Sequence, residues 1–189
     1  MEHMLHEIKP LVSNYGLFVI FFGMMVEGTV MILVSGILCY LGLLSLTETI
    51  FVAIIGAIIG DQIWYWLGHK YMVKIIKIFP SLISKVDKFS STVDKRGTLL
   101  ALSGRFIYGG AILFPLILGH YAYSYKKFIL YDTTGVSIWA LLGILLGYLF
   151  GTGIEKYFGE IKKIEDVIFV VIGIYVVVWF VKKIVRFKN

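Results

Sequence analysis

The sequence predicts an all-α integral membrane protein, with about four transmembrane helices, two opposed re-entrant helical hairpins, and amphipathic cytoplasmic helices between its halves. Three observations predict this class. Of 189 residues, 59% are hydrophobic and 16% charged, with a mean hydropathy of +0.88. A soluble domain of this length has too little interior for so much apolar side chain. Two apolar stretches, 16–44 and 97–125, are each entered by one charge, Glu27 and Arg105; a third charge, Asp61, sits late in the run that starts at Ile50. A charge in the bilayer costs about 2.5–3.5 kcal/mol on insertion scales, and is kept where it faces protein, a water-filled cavity or another charge. Finally, residues 28–44 and 106–119 are apolar but broken by glycine, and shorter than the roughly 20 residues a spanning helix needs.

The elements follow in order. Residues 11–26 form a first span, with Pro10 near its start. Residues 28–44, carrying Gly36 and Gly42, read as a hairpin that dips in and returns. Residues 49–67 form a second span with Gly56, Gly60 and Asp61. The stretch 69–96 is polar and basic: Lys70, Lys74 and Lys77 recur at helical spacing, Pro80 ends that helix, and Leu82, Ile83, Val86 and Phe89 continue the pattern until Gly97. These helices either lie on the cytoplasmic leaflet, attracted to anionic lipid, or form a connector packed on the spans. Residues 106–119, with Gly109, Gly110 and Pro115, read as the second hairpin. Residues 128–150 form a third span and 167–181 a short last one. The whole is one membrane domain over 1–189, with a first half at 11–68 and a second at 97–151.

Charge placement orients this layout. With both hairpins re-entrant, the N-terminus, 69–96, 120–127 and the C-terminal tail share one face. That face holds Lys9, the basic residues of 69–96, Lys126, Lys127, Lys182, Lys183, Arg186 and Lys188. The other holds Lys156, Lys162 and Lys163, offset by Glu155, Glu160, Glu165 and Asp166. The positive-inside rule puts both termini in the cytoplasm. Six full spans would leave 69–96 outside, against that rule. A bacterial or archaeal cytoplasmic membrane is the expected location. No cleavable leader is evident before Glu27.

Other classes are disfavoured. The net charge of +6 is concentrated in loops, which serves orientation rather than nucleic-acid binding. Cys39 is a lone packing residue. His3, His6, His69 and His120 lack metal-ligand spacing, and no P-loop, Gly-x-Ser-x-Gly or dinucleotide fingerprint is present. The expectation is a non-enzyme with no cofactor and no metal.

The residues able to carry chemistry are few. Glu27, Asp61 and Asp132 are candidate proton-coupling residues, because a carboxylate held between burial and a nearby cation can load and release a proton. Arg105 is the substrate-binding candidate: guanidinium stays charged in apolar surroundings and grips phosphate as a fork. Gly109 and Gly110 offer backbone N–H groups to an anion. The plainer alternative for Arg105 is a structural ion pair with Asp61 or Asp132. Tyr65, Tyr108, Tyr131 and Trp139 read as interface anchors. Gly56 with Gly60, and Gly143 with Gly147 and Gly151, have the four-residue spacing that lets helices approach closely in lipid. A faint repeat links the halves: a charge, a broken segment, then Gly60, Asp61 and Trp64 in the first, and Asp132, Gly135 and Trp139 in the second. Inverted repeats with broken segments mark secondary transporters.

Gly104-Arg105-Phe106-Ile107-Tyr108-Gly109, then Phe114-Pro115, Gly119, Phe128, Tyr131-Asp132, Gly135 and Trp139, resemble the DedA family, also called SNARE-associated or VTT-domain proteins. Glu27-Gly28 and Gly60-Asp61-Gln62 with Tyr65 and Gly68 add to the resemblance, which runs from about Tyr15 to Gly151. It implies two opposed re-entrant hairpins, and movement of phospholipids or lipid carriers such as undecaprenyl phosphate between leaflets, in some members driven by the proton gradient. It maps onto Glu27, Asp61 and Arg105. The chain departs from the family pattern where a second Arg gives way to Ala111, a Pro to Tyr108 and an Asn to Asp132; Thr29 stands at the expected site of a further acid. One Arg fewer and one acid more favour a zwitterionic or other lipid over a doubly charged phosphate. The expected function is therefore a lipid transporter or flippase whose partners are membrane lipids and protons. A scaffold that moves nothing and a proton-coupled small-solute transporter are the alternatives. Homo-oligomerisation is left open.

Overall fold

The structure, a computed structural model, describes residues 2–26, 28–78, 80, 82–107 and 109–158. Glu27, Tyr108 and the segment 167–181 lie outside the described residues. Among the described residues every regular element is helical: α1 (Glu2–Val26), α2 (Gly28–Tyr40), α3 (Leu46–Ile78), α4 (Leu82–Ser103), a 3-10 turn (Gly104–Phe106), α5 (Gly110–His120) and α6 (Tyr125–Phe158). Two helices, Leu46–Ile78 and Tyr125–Thr152, are long and apolar enough to cross a membrane.

Helix ends follow local chemistry. Past the end of α2, Gly42 adopts φ 68°, and the Leu43 N–H reaches back to the Leu38 carbonyl at 3.1 Å, which satisfies a carbonyl that the helix leaves bare. Helix α3 starts after Ser45, with Glu48 at capping-box spacing. It does not stop where hydropathy falls at His69. Lys70, Lys74 and Lys77 are good helix formers, and no breaker intervenes before Pro80. The first turns of the predicted 69–96 segment are therefore the end of α3. Helix α4 is kinked at Arg96 (φ −136°, ψ 22°).

The chain forms two compact units. One joins Met1–Ala53 to Leu142–Asn189; the other is Ile54–Leu141. In the first, α1 and α2 form an antiparallel pair, with Gly23 seated against Met31 and Gly16 against Leu44. Helix α2 then meets α6 backbone to backbone. A Cβ on Gly36 would overlap the Ile144 carbonyl oxygen and come within 2.8 Å of the Gly147 Cα; Gly143 faces Ile32, and Gly151 faces the Tyr40 ring. The predicted glycine spacing in α6 is thus a packing seam.

In the second unit, Val86, Val93 and Leu100 of α4 are buried with Phe114, Ile117, Leu118 and Phe128. The segment around α4 is packed on its neighbours through this face. Tyr65 is buried as well. Its ring stacks on Phe128 at 4.6 Å, and its hydroxyl donates to the Tyr123 carbonyl. It is a core residue rather than the interface anchor expected from sequence, because its polar tip finds an internal acceptor. Gly68 and Gly119 hold α3 and α5 in backbone contact, and Gly135 holds α6 against the Leu102 carbonyl.

Candidate functional site

Everything at the site belongs to the Ile54–Leu141 unit. Helix α4 ends at Ser103, and the 3-10 turn that follows carries Arg105. Gly104 and Gly110 close this bend: a Cβ on Gly110 would overlap the Gly104 carbonyl oxygen. Gly109, at φ 75°, starts α5 from a left-handed conformation that side-chain-bearing residues rarely adopt. The bend aims Arg105 at α3. Its Nε donates to Asp61 Oδ2 at 2.8 Å, and its Nη2 to Asp61 Oδ1 at 2.7 Å and to the Ala57 carbonyl at 2.9 Å. Ala57 and Asp61 are one helical turn apart, so a single side chain reaches both.

This is a fork-to-fork pair, the strongest geometry open to these groups. The Arg105 and Asp61 side chains are 5% and 2% exposed. The Arg105 Cζ also lies 5.2 Å from the centre of the Trp139 ring, a cation–π contact. Asp132 is 4% exposed. Its Oδ2 accepts a long hydrogen bond of 3.5 Å from Gln62 Nε2, and its carboxyl lies within hydrogen-bonding reach of Asp61. Among the described residues no cation is within ion-pair distance of Asp132. A cavity of about 10 Å³ is lined by Asp61, Arg105, Asp132, Gly110 and Ala111, among others. It has room on the order of one water molecule.

The structure thus brings together Arg105, Asp61, Asp132 and Gly110, but not Gly109, which is exposed. Contrary to the expectation from sequence, the Gly110 N–H is not open to an anion: it donates to the Ile107 carbonyl at 2.8 Å. Glu27 lies outside the described residues. Two residues with no site role expected from sequence complete the cluster: Trp139, expected to be an interface anchor, and Gln62. Trp139 falls two turns after Asp132, and Gln62 directly follows Asp61. The seven-residue spacing, with Gly135 between, places Trp139 on the Asp132 face of α6 and was the signal available.

Comparisons with known proteins agree over most of the chain. The VTT domain family model matches residues 15–149. The chain is 25% identical over 181 residues to the inner membrane protein YohD of Escherichia coli, covering 94% of each chain. It is 30% identical over 165 residues to Protein DedA of Escherichia coli, covering 77% of this chain and 74% of that one. An uncharacterized membrane protein of Synechocystis is 27% identical over 175 residues, covering 87% of this chain and 77% of the other. No solved structure matches.

Proposed function

The chain belongs to the VTT-domain, or DedA, family of membrane proteins, and on that premise we propose that it moves a lipid between the leaflets of a cytoplasmic membrane, with Arg105, Asp61 and Asp132 as the polar hub. The observation that carries this reading is the buried Arg105–Asp61 pair with Asp132 beside it, both acids standing on helices apolar enough to span a bilayer. Hydrocarbon tolerates such groups where they guide a polar cargo or a proton. The lipid is a phospholipid or, on the anionic side, a polyprenyl-phosphate carrier. Asp61, Asp132 and Glu27 are the groups through which a proton would be exchanged.

The finer topology belongs to the same proposal. Helix α2 has 13 residues and α5 has 11. At about 1.5 Å per residue these reach about 20 Å and 17 Å, short of a core about 30 Å thick. That supports two re-entrant segments among about four spans, with both termini cytoplasmic by the positive-inside rule.

The test is movement of acyl-labelled lipids in proteoliposomes, wild type beside Arg105→Ala and Arg105→Lys, with and without a pH gradient. The expected result is movement in the wild type, and its loss in Arg105→Ala that remains folded and inserted. Movement that ignores the gradient would mean a scramblase. Folded wild-type protein that moves no lipid would overturn the proposal in favour of a scaffold or a small-solute carrier.

A further inference from the structure

Away from the hub, the exposed face of α3 changes character along its length. Ile55, Ile59, Ile63 and Trp66 recur at three- and four-residue spacing and are all exposed. The same face continues with Lys70 and Lys74, which are exposed too. Apolar, then aromatic, then cationic is the order in which a helix meets the acyl chains, the glycerol region and the phosphate of a phospholipid, and tryptophan settles at the middle level. The Trp66 ring is braced from two sides. Tyr125, on the first turn of α6, lies 5.5 Å from it. His69 lies edge-on to it at 5.8 Å and is itself fixed, its Nδ1 donating to the Gly119 carbonyl at 3.2 Å. The two ammonium groups rest on aromatic rings. Lys70 Nζ is 5.6 Å from the centre of the Trp66 ring, and Lys74 Nζ is 5.6 Å from the centre of the Tyr71 ring. Such contacts hold an ammonium group without consuming its three N–H donors. Among the described residues neither lysine has a carboxylate within ion-pair distance.

We propose that this face binds one anionic phospholipid, with the phosphate against Lys70 and Lys74, the glycerol region against Trp66 and the acyl chains along Ile63 and Ile59. Charge selects the headgroup. Two lysines without a carboxylate attract a net negative lipid, whereas a zwitterionic one brings its own cation to the same place. The apolar residues select a lipid over a free phosphate, because they continue the face into the hydrocarbon. The braced aromatic platform distinguishes the site from a helix end that merely carries lysine, since the ring is held ready before the lipid arrives. Lys70 stands nine residues beyond Asp61, about 13 Å along the helix, so the site is separate from the Arg105 hub. The bound lipid is a resident of the α3–α6 junction rather than a cargo, and the proposal does not rest on lipid movement.

The test is quenching of tryptophan fluorescence by phospholipids brominated on their acyl chains, with the full chain in mixed vesicles of phosphatidylglycerol and phosphatidylcholine. The chain has four tryptophans, so the Trp66 signal is the difference between wild type and Trp66→Phe. That signal should show a preference for brominated phosphatidylglycerol over brominated phosphatidylcholine on the order of tenfold, since each surface lysine contributes about fivefold. Lys70→Gln should lower the preference about fivefold, and Lys70→Gln with Lys74→Gln should abolish it. Lys127→Gln is the control: it makes the same charge change two residues past Tyr125, on the other side of α6, and should leave the preference intact. All these positions are exposed, and an unchanged unfolding midpoint establishes that each variant is folded. Equal quenching by the two lipids in the wild type would overturn the proposal and leave Trp66 a plain interface anchor. A preference that survives the double substitution would overturn it, as would one that Lys127→Gln reduces as much as Lys70→Gln, the mark of diffuse surface charge. Glycerol phosphate in solution that competes with the lipid at equal concentration would make the ligand a free phosphate and overturn it as well.

Discussion

The two units of the chain are packed by the same device and loaded differently. In the unit that joins Met1–Ala53 to Leu142–Asn189, glycines bring α2 and α6 into backbone contact at Gly36 and Gly147. Its buried polar groups among the described residues, Ser35 and Thr49, are uncharged. In the Ile54–Leu141 unit, Gly68, Gly119 and Gly135 do the same for α3, α5, α6 and α4, but the space they close also holds Asp61, Arg105 and Asp132. Close backbone approach is a general way to join helices where no hydrophobic force drives them together. Among the described residues, buried charge falls in the Ile54–Leu141 unit, and that is where a function should be sought first.

The comparison can be broken most forcefully at Arg105. Arg105→Ala strands a buried Asp61 and should cost about 3–5 kcal/mol of stability, read as a lower midpoint of thermal or SDS unfolding. Asp61→Asn combined with Arg105→Gln removes both charges and should recover a large part of that loss; no recovery would mean that the two residues are not coupled. Next come the seams. Gly36→Ala and Gly135→Ala each force a methyl group into a neighbouring carbonyl and should cost about 1–3 kcal/mol or more, with similar losses in the two units if the device is shared. Trp139→Leu removes the aromatic face beneath Arg105 and should cost about 0.5–2 kcal/mol. Among the described residues the Gly36–Gly147 seam has no such contact. The smallest effect has the opposite sign. Asp132→Asn removes the second acid beside Asp61 and should leave the unfolding midpoint unchanged or raise it, by about 1 kcal/mol. A clear loss of stability would show that the Asp132 carboxyl holds the hub together through its contacts with Gln62 and Asp61.

The class of fold was legible in the sequence because hydropathy and the cost of buried charge act locally along the chain. Asp61 and Arg105 stood out for that reason, and their pairing was one of two roles open to Arg105. The extension of α3 through Lys70 to Ile78 was less legible: polarity changes at His69, whereas backbone preference does not change until Pro80. Tyr65 and Trp139 were read as interface anchors because a polar aromatic tip at a membrane surface finds water, and nothing local announced that Tyr123 and Arg105 would meet them instead. Ala111 was visible as a departure from a family pattern. That it lines a cavity with both acids depends on the bend between Gly104 and Gly110, where two segments of chain touch without side chains between them.

Helix α3 also has a mechanical consequence. From Ile54 to Ile78 it is one rigid shaft, with Asp61 near one end of that stretch and the exposed Lys70, Tyr71 and Lys74 toward the other. Gly68 sits between them as a bearing, its backbone resting on the Leu116 carbonyl. A twist applied at the lysine-bearing turns by headgroups or a neighbouring protein cannot dissipate at a hinge along the way. It must be taken up at the bearing or delivered to the carboxylate that holds Arg105.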